Sequence, residues 1–417
     1  MAARLKGVIL SVEDVIVNKG TINKKVFEQA DLLMKFFRIR GIIPVLLANS
    51  NWTVTTEKER TKKDLFDVLK RHYPDLKIFS RHFDKKIPPK PRAEATQYVC
   101  NMMGWKKNET LYIGSTENDM RTAVNGNLLF LCGTWYNDNI NYGFKFSEQK
   151  QMARFIDTLC LREHFWSHEI HEDNIQFYAL APFSTMRPDY ARYSDDAKRA
   201  AKHGLGHPDF WLSALVTSLY FTGIHEKIDF IASYPGHKAG VGNDKMNNDL
   251  MTFAKCFRKG YLHNLIERHT TALKSQTSRN QGIQLNHLNQ LNTIKLNRLP
   301  TKNYSSVYKC NPLKRGKTVL LVDDICTKGF SLESGRKYIE QTNAKVIMVT
   351  WLKTINSDIC ALENLGEFDP YVPNKFTKAN TARFYGYKAY LIDTHASEEL
   401  GDHLHEFINW DWPKEII

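Results

Sequence analysis

Short apolar runs alternate with longer amphipathic stretches through most of the chain. VILSV (8–12) gives way to KKVFEQADLLMKFFRIR, whose apolar residues recur three and four apart and which stops at Gly41. The alternation continues with the strand IPVLLA (43–48), a charged helix around 57–72, the strand LKIFS (76–80) and the helix AEATQYVCNMMG (93–104). The strand LYIG (111–114), a helix near 118–125 and the strand NLLFLC (127–132) complete the region. Strands that read as unbroken apolar runs are buried on both faces, and helices of this length between them make the crossovers of a parallel sheet.

A second alternating region begins by about residue 175. Its helix PDFWLSALVTSLYF (208–221) precedes the strand IDFIAS (228–233), and a further helix covers 246–260. TVLLV (318–322), a helix over 331–341 and KVIMVTWL (345–352) repeat the strand–helix–strand rhythm, with YKAYLID (387–393) as a last strand. Residues 275–305 are rich in Asn and Gln and poor in acids, the composition of a mobile loop, although their repeated leucines suggest packing. The expected fold class is α/β, with two doubly wound parallel-sheet domains. Residues 1–140 form the first, 141–174 a linker with a helix over SEQKQMARFIDTLCLR, and 175–417 the second with a C-terminal extension.

A chain of 417 residues is too long for one ordinary core, which agrees with two domains. It offers no run of roughly 18 uncharged apolar residues for a membrane helix. MAARLKGVILSVEDV has no signal-peptide cleavage pattern, so a cytoplasmic protein is expected. The seven cysteines (100, 132, 160, 256, 310, 326, 360) stand singly without a CxxC pair. That argues against a zinc site or a disulfide framework and predicts buried thiols. The formal net charge of +13 favours polyanionic partners: nucleotides, pyrophosphates or nucleic acid. No arginine-rich run or RNA-binding sheet motif strengthens the last of these.

Candidate chemistry concentrates in VLLVDDICTKGFS (319–331). Asp323 and Asp324 follow a buried strand, where a doubly wound sheet places its ligand crevice. Carboxylates there can accept hydrogen bonds from sugar hydroxyls or help hold a hydrated Mg2+. The Thr327 and Ser331 hydroxyls, the loop N–H groups and a helix N-terminus can cradle a phosphate monoester. Gly329 lets the backbone approach the anion, and Lys328 adds charge. An acid pair beside a phosphate cup describes a ribose 5-phosphate.

These residues make VLLVDDICTKGFSLES similar to the phosphoribosyl pyrophosphate (PRPP) loop of type I phosphoribosyltransferases: four apolar residues, two acids, then T-x-G-x-[T/S]. The resemblance implies that Asp323 and Asp324 meet the ribose hydroxyls and that Mg2+ binds there mostly through PRPP and water. It implies that Thr327, Lys328, Gly329, Phe330 and Ser331 hold the 5-phosphate. It also implies a pyrophosphate loop after an earlier strand, matched by Tyr234, Pro235, Gly236, His237 and Lys238. In competence-type members a flexible basic segment lies between the two loops. Arg268, Lys274 and Arg279 occupy that place, either closing on pyrophosphate or simply solvated. The implied reaction displaces pyrophosphate from the anomeric carbon of PRPP by a nitrogen nucleophile, such as a nucleobase, through a carbocation-like transition state.

The first region carries four motifs in order. VILSVEDVIVNKG (8–20), VLLANSNW (45–52), PKPRAEATQYVCNMMGW (89–105) and YIGSTENDMRTAVNGN (112–127) resemble those of the haloacid-dehalogenase (HAD) superfamily. Ser11 stands where that family has its nucleophilic Asp, Glu13 replaces the general acid, and Asp14 replaces the following Gly. Ala48 replaces the second-motif Thr with Ser50 two residues on, Ser115 replaces an acid, and Lys90 and Asp119 are kept. Without the nucleophilic carboxylate no aspartyl-phosphate forms, and losing two acids weakens a Mg2+ site. A pseudo-phosphatase domain that scaffolds or senses phosphate is expected, with an altered phosphatase using Glu13 or Asp14 as the alternative. For the whole chain three functions stay open: a PRPP-dependent transferase, a non-catalytic PRPP or nucleotide sensor, and a basic nucleic-acid-binding protein. A homodimer is compatible with each.

Overall fold

The computed structural model describes residues 4–56, 59–141, 143–172, 175–238, 244–273 and 286–417. Six strands form the first sheet: β1 (Gly7–Leu10), β2 (Ile43–Ala48), β3 (Lys77–Ser80), β4 (Thr110–Gly114), β5 (Leu129–Gly133) and β6 (Phe144–Phe146). Their order is β3-β2-β1-β4-β5-β6, and every pairing is parallel. Chain order reverses at β1, so the loops after β1, β2 and β4 converge on one crevice. Strand β6 lies in the stretch read from sequence as a linker.

Local chemistry sets the helices around this sheet. Helix α1 (Lys24–Ile39) starts at Asn23, whose side chain accepts from the Val26 N–H at 3.1 Å, and it buries Leu33, Phe36 and Phe37 as one stripe. Helix α2 (Ala93–Met103) ends on Gly104 at φ +67°. Helix α3 (Glu117–Gly126) opens with a capping box between Thr116 and Asp119.

Eight strands form the second sheet: β7 (His168–Glu172), β8 (Ile175–Phe183), β9 (Phe230–Ser233), β10 (Gly260–His263), β11 (Thr301–Lys302), β12 (Ser306–Val307), β13 (Thr318–Cys326) and β14 (Lys345–Thr354). They lie in the order β7-β8-β14-β13-β9-β10-β11-β12. The five central strands are parallel, while β7 on one side and β11 and β12 on the other are antiparallel additions. Counted from β9, the run β10-β9-β13-β14 has the 2-1-3-4 order of a doubly wound sheet, with its switch point between β9 and β13. Helix α4 (Pro208–Phe221) is buried all round from Phe210 to Phe221, as its predominantly apolar sequence requires. Helix α5 (Phe330–Glu340) joins β13 to β14, and α6 (Ala396–Asn409) lies near the C-terminus. The α/β class with two doubly wound sheets is thus the observed architecture.

Several elements differ from the sequence expectation. Strand β13 does not stop before the acids but runs through Asp323 and Asp324 to Cys326, because β14 keeps pairing with it as far as Lys353. The stretch predicted as a charged helix begins instead as a hairpin, Thr53–Thr56 with Glu59–Asp64, and is helical only over Leu65–His72. Its β-branched Thr53, Val54 and Thr55 favour the strand. Asp64 then starts the helix by accepting from the Phe66 and Asp67 N–H groups. YKAYLID is not a strand: Tyr387–Tyr390 forms a tight turn whose first N–H binds the Asp358 carboxylate, and the strand is the preceding Thr381–Tyr385.

The described part of the Asn/Gln-rich stretch is ordered. Ile294–Leu296 pairs with Ile266–Arg268, and Leu291, Ile294 and Leu296 are buried. A helix over Pro188–His203 went unread because few of its residues are apolar. Six cysteines are buried as expected, but Cys310 is exposed. Among the described residues no helix is long and apolar enough to cross a membrane.

Candidate functional site

The switch point of the second sheet brings two loops together. Ser233, at the end of β9, lies opposite Val322, and the Tyr234 N–H donates to the Val322 carbonyl at 2.8 Å. The 234–238 loop therefore begins beside Asp323. Both acids are half-buried, and each is braced by backbone: the Asp324 N–H donates to Asp323 Oδ1 at 2.9 Å, and the Ile325 N–H to Asp324 Oδ1 at 2.6 Å. Burial, then the adjacent Asp324 charge, pushes the Asp323 carboxyl well above its ordinary range. Burial raises Asp324 too, partly offset by its hydrogen bond from Ile325 and by Lys202. Neither acid has an ion-pair partner among the described residues.

Arg268 explains the shape of the first loop. It is 6% exposed, and its guanidinium donates to the Gly236 carbonyl at 2.6 Å, Thr293 Oγ1 at 2.6 Å and Gln290 Oε1 at 2.9 Å. It also lies 5.5 Å from the Tyr234 ring centre and reaches the Tyr234 hydroxyl at 3.4 Å. The Ala272 N–H binds the His237 carbonyl at 3.0 Å. Arg268 is therefore a fixed strut under the loop, not the mobile cation expected, because each of its three nitrogens already donates. Tyr234 likewise turns inward, donating to Gln290 at 2.9 Å. Pro235, Gly236 and His237 are half-buried and Lys238 is exposed. Lys274 and Arg279 lie outside the described residues.

The second loop joins β13 to α5. Gly329 takes φ +79° as the residue that starts the helix, with no side chain capping the first N–H groups. The Lys328 carbonyl accepts from the Cys360 N–H at 3.0 Å, and the Thr327 and Thr354 hydroxyls bond at 3.0 Å. Lys328 is exposed, whereas the Phe330 ring packs edge-on to His287 with centres 4.6 Å apart. Ser331 is half-buried, and its hydroxyl has no partner among the described residues. Lys202 was missed by sequence reading, since it sits at the end of the unread helix, far upstream of Asp324, on which its charge acts.

The crevice of the first sheet holds a cavity of about 190 Å3 whose walls include Ser11, Glu13, Ser50, Lys90 and Asp119. Lys90 Nζ bonds Asp119 Oδ1 at 2.5 Å and Ser11 Oγ at 3.0 Å. The second Asp119 oxygen accepts from the Ser115 N–H at 3.2 Å, the Thr116 N–H at 3.1 Å and the Thr116 hydroxyl at 2.8 Å. Burial alone would raise the Asp119 carboxyl, but the Lys90 charge and these bonds hold it below the ordinary range. Burial, then Asp14 and Asp119, pushes Glu13 up. Asn49, missed from sequence, clamps the Lys90 backbone with 2.8 and 3.0 Å bonds.

Two of the expected residues are not at this cavity. Asp14 is held by Asn18 at 2.7 Å and by Asn137, and the buried Ser115 hydroxyl donates to the Gly133 carbonyl. Asp14 is therefore not an alternative nucleophile. A Mg2+ ion does not fit here, because the Asp119 oxygens are filled by five donors and an ammonium already occupies the place of a cation. Among the described residues no group of three or more His, Cys, Asp or Glu side chains is placed to hold a metal ion.

No family model and no curated protein matches the chain. Solved HAD-superfamily hydrolases are similar to about a third of it. A candidate phosphoglycolate phosphatase of Lactobacillus delbrueckii subsp. bulgaricus is 18% identical over 31% of this chain and 53% of its own, at a TM-score of 0.26. This chain thus spans about half the length of that protein. A HAD-superfamily hydrolase of Geobacter sulfurreducens is 12% identical over 36% of this chain and 98% of its own, at 0.23. The core domain of a candidate phosphoglycolate phosphatase of Streptococcus pneumoniae is 15% identical over 38% and 99%, at 0.26.

Proposed function

We propose that the protein is a PRPP-dependent phosphoribosyltransferase that moves the phosphoribosyl group to a nitrogen nucleophile, such as a nucleobase, with release of pyrophosphate. The observation that carries this reading is the flanking of Asp323 and Asp324, at the switch point of the sheet, by the Thr327–Ser331 loop on one side and the 234–238 loop on the other. In this reading the 5-phosphate lies at the start of α5 and the pyrophosphate beside β9, and the ribose hydroxyls donate to the two acids between them. Mg2+ fits the pair, since two half-buried carboxylates without ion-pair partners gain from a shared cation. When bound, the ion neutralises charge on the leaving pyrophosphate. The protein's own share is positioning: Arg268 fixes the 234–237 backbone, Gly329 opens the phosphate cup, and the acids orient the sugar.

The first sheet is read as a non-catalytic module, because Ser11 donates no carboxylate and Lys90 is spent on Asp119. The test is pyrophosphate release from PRPP and Mg2+ across a panel of nucleobases. Release that disappears in the Asp323→Ala, Asp324→Ala double variant supports the reading, and release surviving it overturns the site assignment. PRPP raising the melting temperature with no release for any base would turn the reading to a sensor. Phosphatase activity abolished by Glu13→Ala would overturn the non-catalytic reading of the first sheet.

A further inference from the structure

Lys353, near the end of β14, is fully buried, and its ammonium has no ion pair among the described residues. Its protons go to carbonyl oxygens instead: Thr327 at 2.6 Å, Thr354 at 3.3 Å and Ser357. The Tyr387 ring centre lies 5.7 Å away. Burial pulls the Lys353 pKa below the ordinary lysine range, and the Asp358 carboxylate nearby, which accepts from the Tyr387 N–H, offsets this only in part. An ammonium taken out of water with no carboxylate bonded to it is costly, so an anion bound close by is stabilised by its charge.

The contact with Thr327 says where that charge sits. The same Thr327 carbonyl accepts from Ser357 Oγ at 3.1 Å, so two groups pin it inward. The Thr327–Lys328 peptide is trans, and in a planar trans peptide the N–H points opposite the carbonyl. The Lys328 N–H therefore faces away from Lys353. A lysine bonded to the carbonyl also polarises the peptide and makes that N–H a stronger donor. Next comes Gly329 and the uncapped start of α5.

We propose that Lys353 is the positioning residue and buried counter-charge of an anion site at Thr327–Ser331, built for a phosphate monoester dianion. The inference rests on the PRPP reading of this loop. A fixed charge in low dielectric favours the doubly charged ligand over a singly charged or neutral one, and salt does not screen it. Exposed Lys328 is the opposite case: its charge is near the same anion but bathed in counter-ions.

Calorimetric titration of the full chain with ribose 5-phosphate and with inorganic phosphate separates these roles. Lys353→Met is expected to weaken ribose 5-phosphate about 10- to 100-fold. Lys353→Gln, which keeps a donor for the Thr327 carbonyl, is expected to fall between Met and wild type. At about 0.5 M salt the Lys353→Met loss persists, whereas the smaller loss in Lys328→Ala fades. Unchanged affinity in Lys353→Met and Lys353→Gln overturns the proposal and leaves the PRPP reading standing. A wild-type chain that binds neither ribose 5-phosphate nor PRPP overturns both. Should Lys353→Met fail to fold, Lys353→Gln decides alone: a clear loss supports the role, and wild-type affinity ends it.

Discussion

Asp119 carries five hydrogen bonds on two oxygens, and Lys90 supplies the charged one among them. Their side chains are 1% and 7% exposed, so removing one partner strands the other. Lys90→Met should cost about 3–5 kcal/mol in urea unfolding, and Lys90→Met with Asp119→Asn should recover much of it; an unchanged midpoint in the single variant would contradict the pairing. The acids of the second sheet act in the opposite sense. Asp323 and Asp324 hold their protons more tightly folded than unfolded, so folding takes up protons above the ordinary carboxylate range. Without ligand, stability therefore falls as pH rises from that range toward the raised values. Asp323→Asn should flatten this fall and raise the neutral-pH melting temperature while removing pyrophosphate release, and a slope equal to wild type would refute the shift. Ser11, Lys90 and Asp119 were legible as one site because each falls in one of the four ordered motifs of the first region. Asp14 and Ser115 were not, since the partners that turn them away, Asn137 and the Gly133 carbonyl, come from the later β5 region.

At the scale of elements, β13, α5 and the loop between them decide what the second crevice can hold. Gly329 sits at φ +79°, and a Cβ there would meet Ile359 Cγ2 at 3.0 Å. Gly329→Ala should cost about 1–2 kcal/mol from the left-handed backbone alone. It should also weaken ribose 5-phosphate binding, and a variant that binds normally would show that the loop approaches no anion. Arg268→Met addresses the other loop: freed from its strut, Gly236 should lose pyrophosphate affinity about tenfold, with ribose 5-phosphate affinity kept. Equal loss of both ligands would mean general collapse of the crevice. The strand–loop–helix at 318–340 was legible because its apolar run, acids and glycine follow one another directly. The strut was not, because Arg268 is anchored by Gln290 and Thr293, in a segment whose polar composition reads as loose. The hairpin at 53–64 was misread for a similar reason: its charges suggested a helix, while its β-branched residues and cross-strand pairing won.

Across the whole molecule the two sheets share a core. Leu111 and Ile113 of β4 belong to the same buried cluster as Leu215 of α4 and Leu320 of β13. The contact is also polar and specific: the Tyr220 hydroxyl donates to the Lys107 carbonyl at 2.7 Å and the Thr110 carbonyl at 2.5 Å, and Asn108 donates to the Phe221 carbonyl at 3.0 Å. Alternating strands and helices announced the two sheets, but nothing local in a sequence says that one will pack on the other. The last residues add a strap. Trp410 donates to Asp157 at 3.0 Å, Arg40 just after α1 grips the same carboxylate with two bonds of 2.7 and 2.8 Å, and the rings of Trp410 and Trp412 pack edge-on to Phe36. An element of the second half thus closes over a helix of the first. Heat should therefore unfold the chain in one transition, not two. Deleting residues 410–417 should lower stability by about 3–5 kcal/mol, the scale of losing a buried tryptophan, and should expose Phe36 and Phe37. Calorimetry checks both expectations: two separate transitions in the intact chain, or a midpoint unmoved by the deletion, would mean that the halves stand independently and that the strap carries no weight.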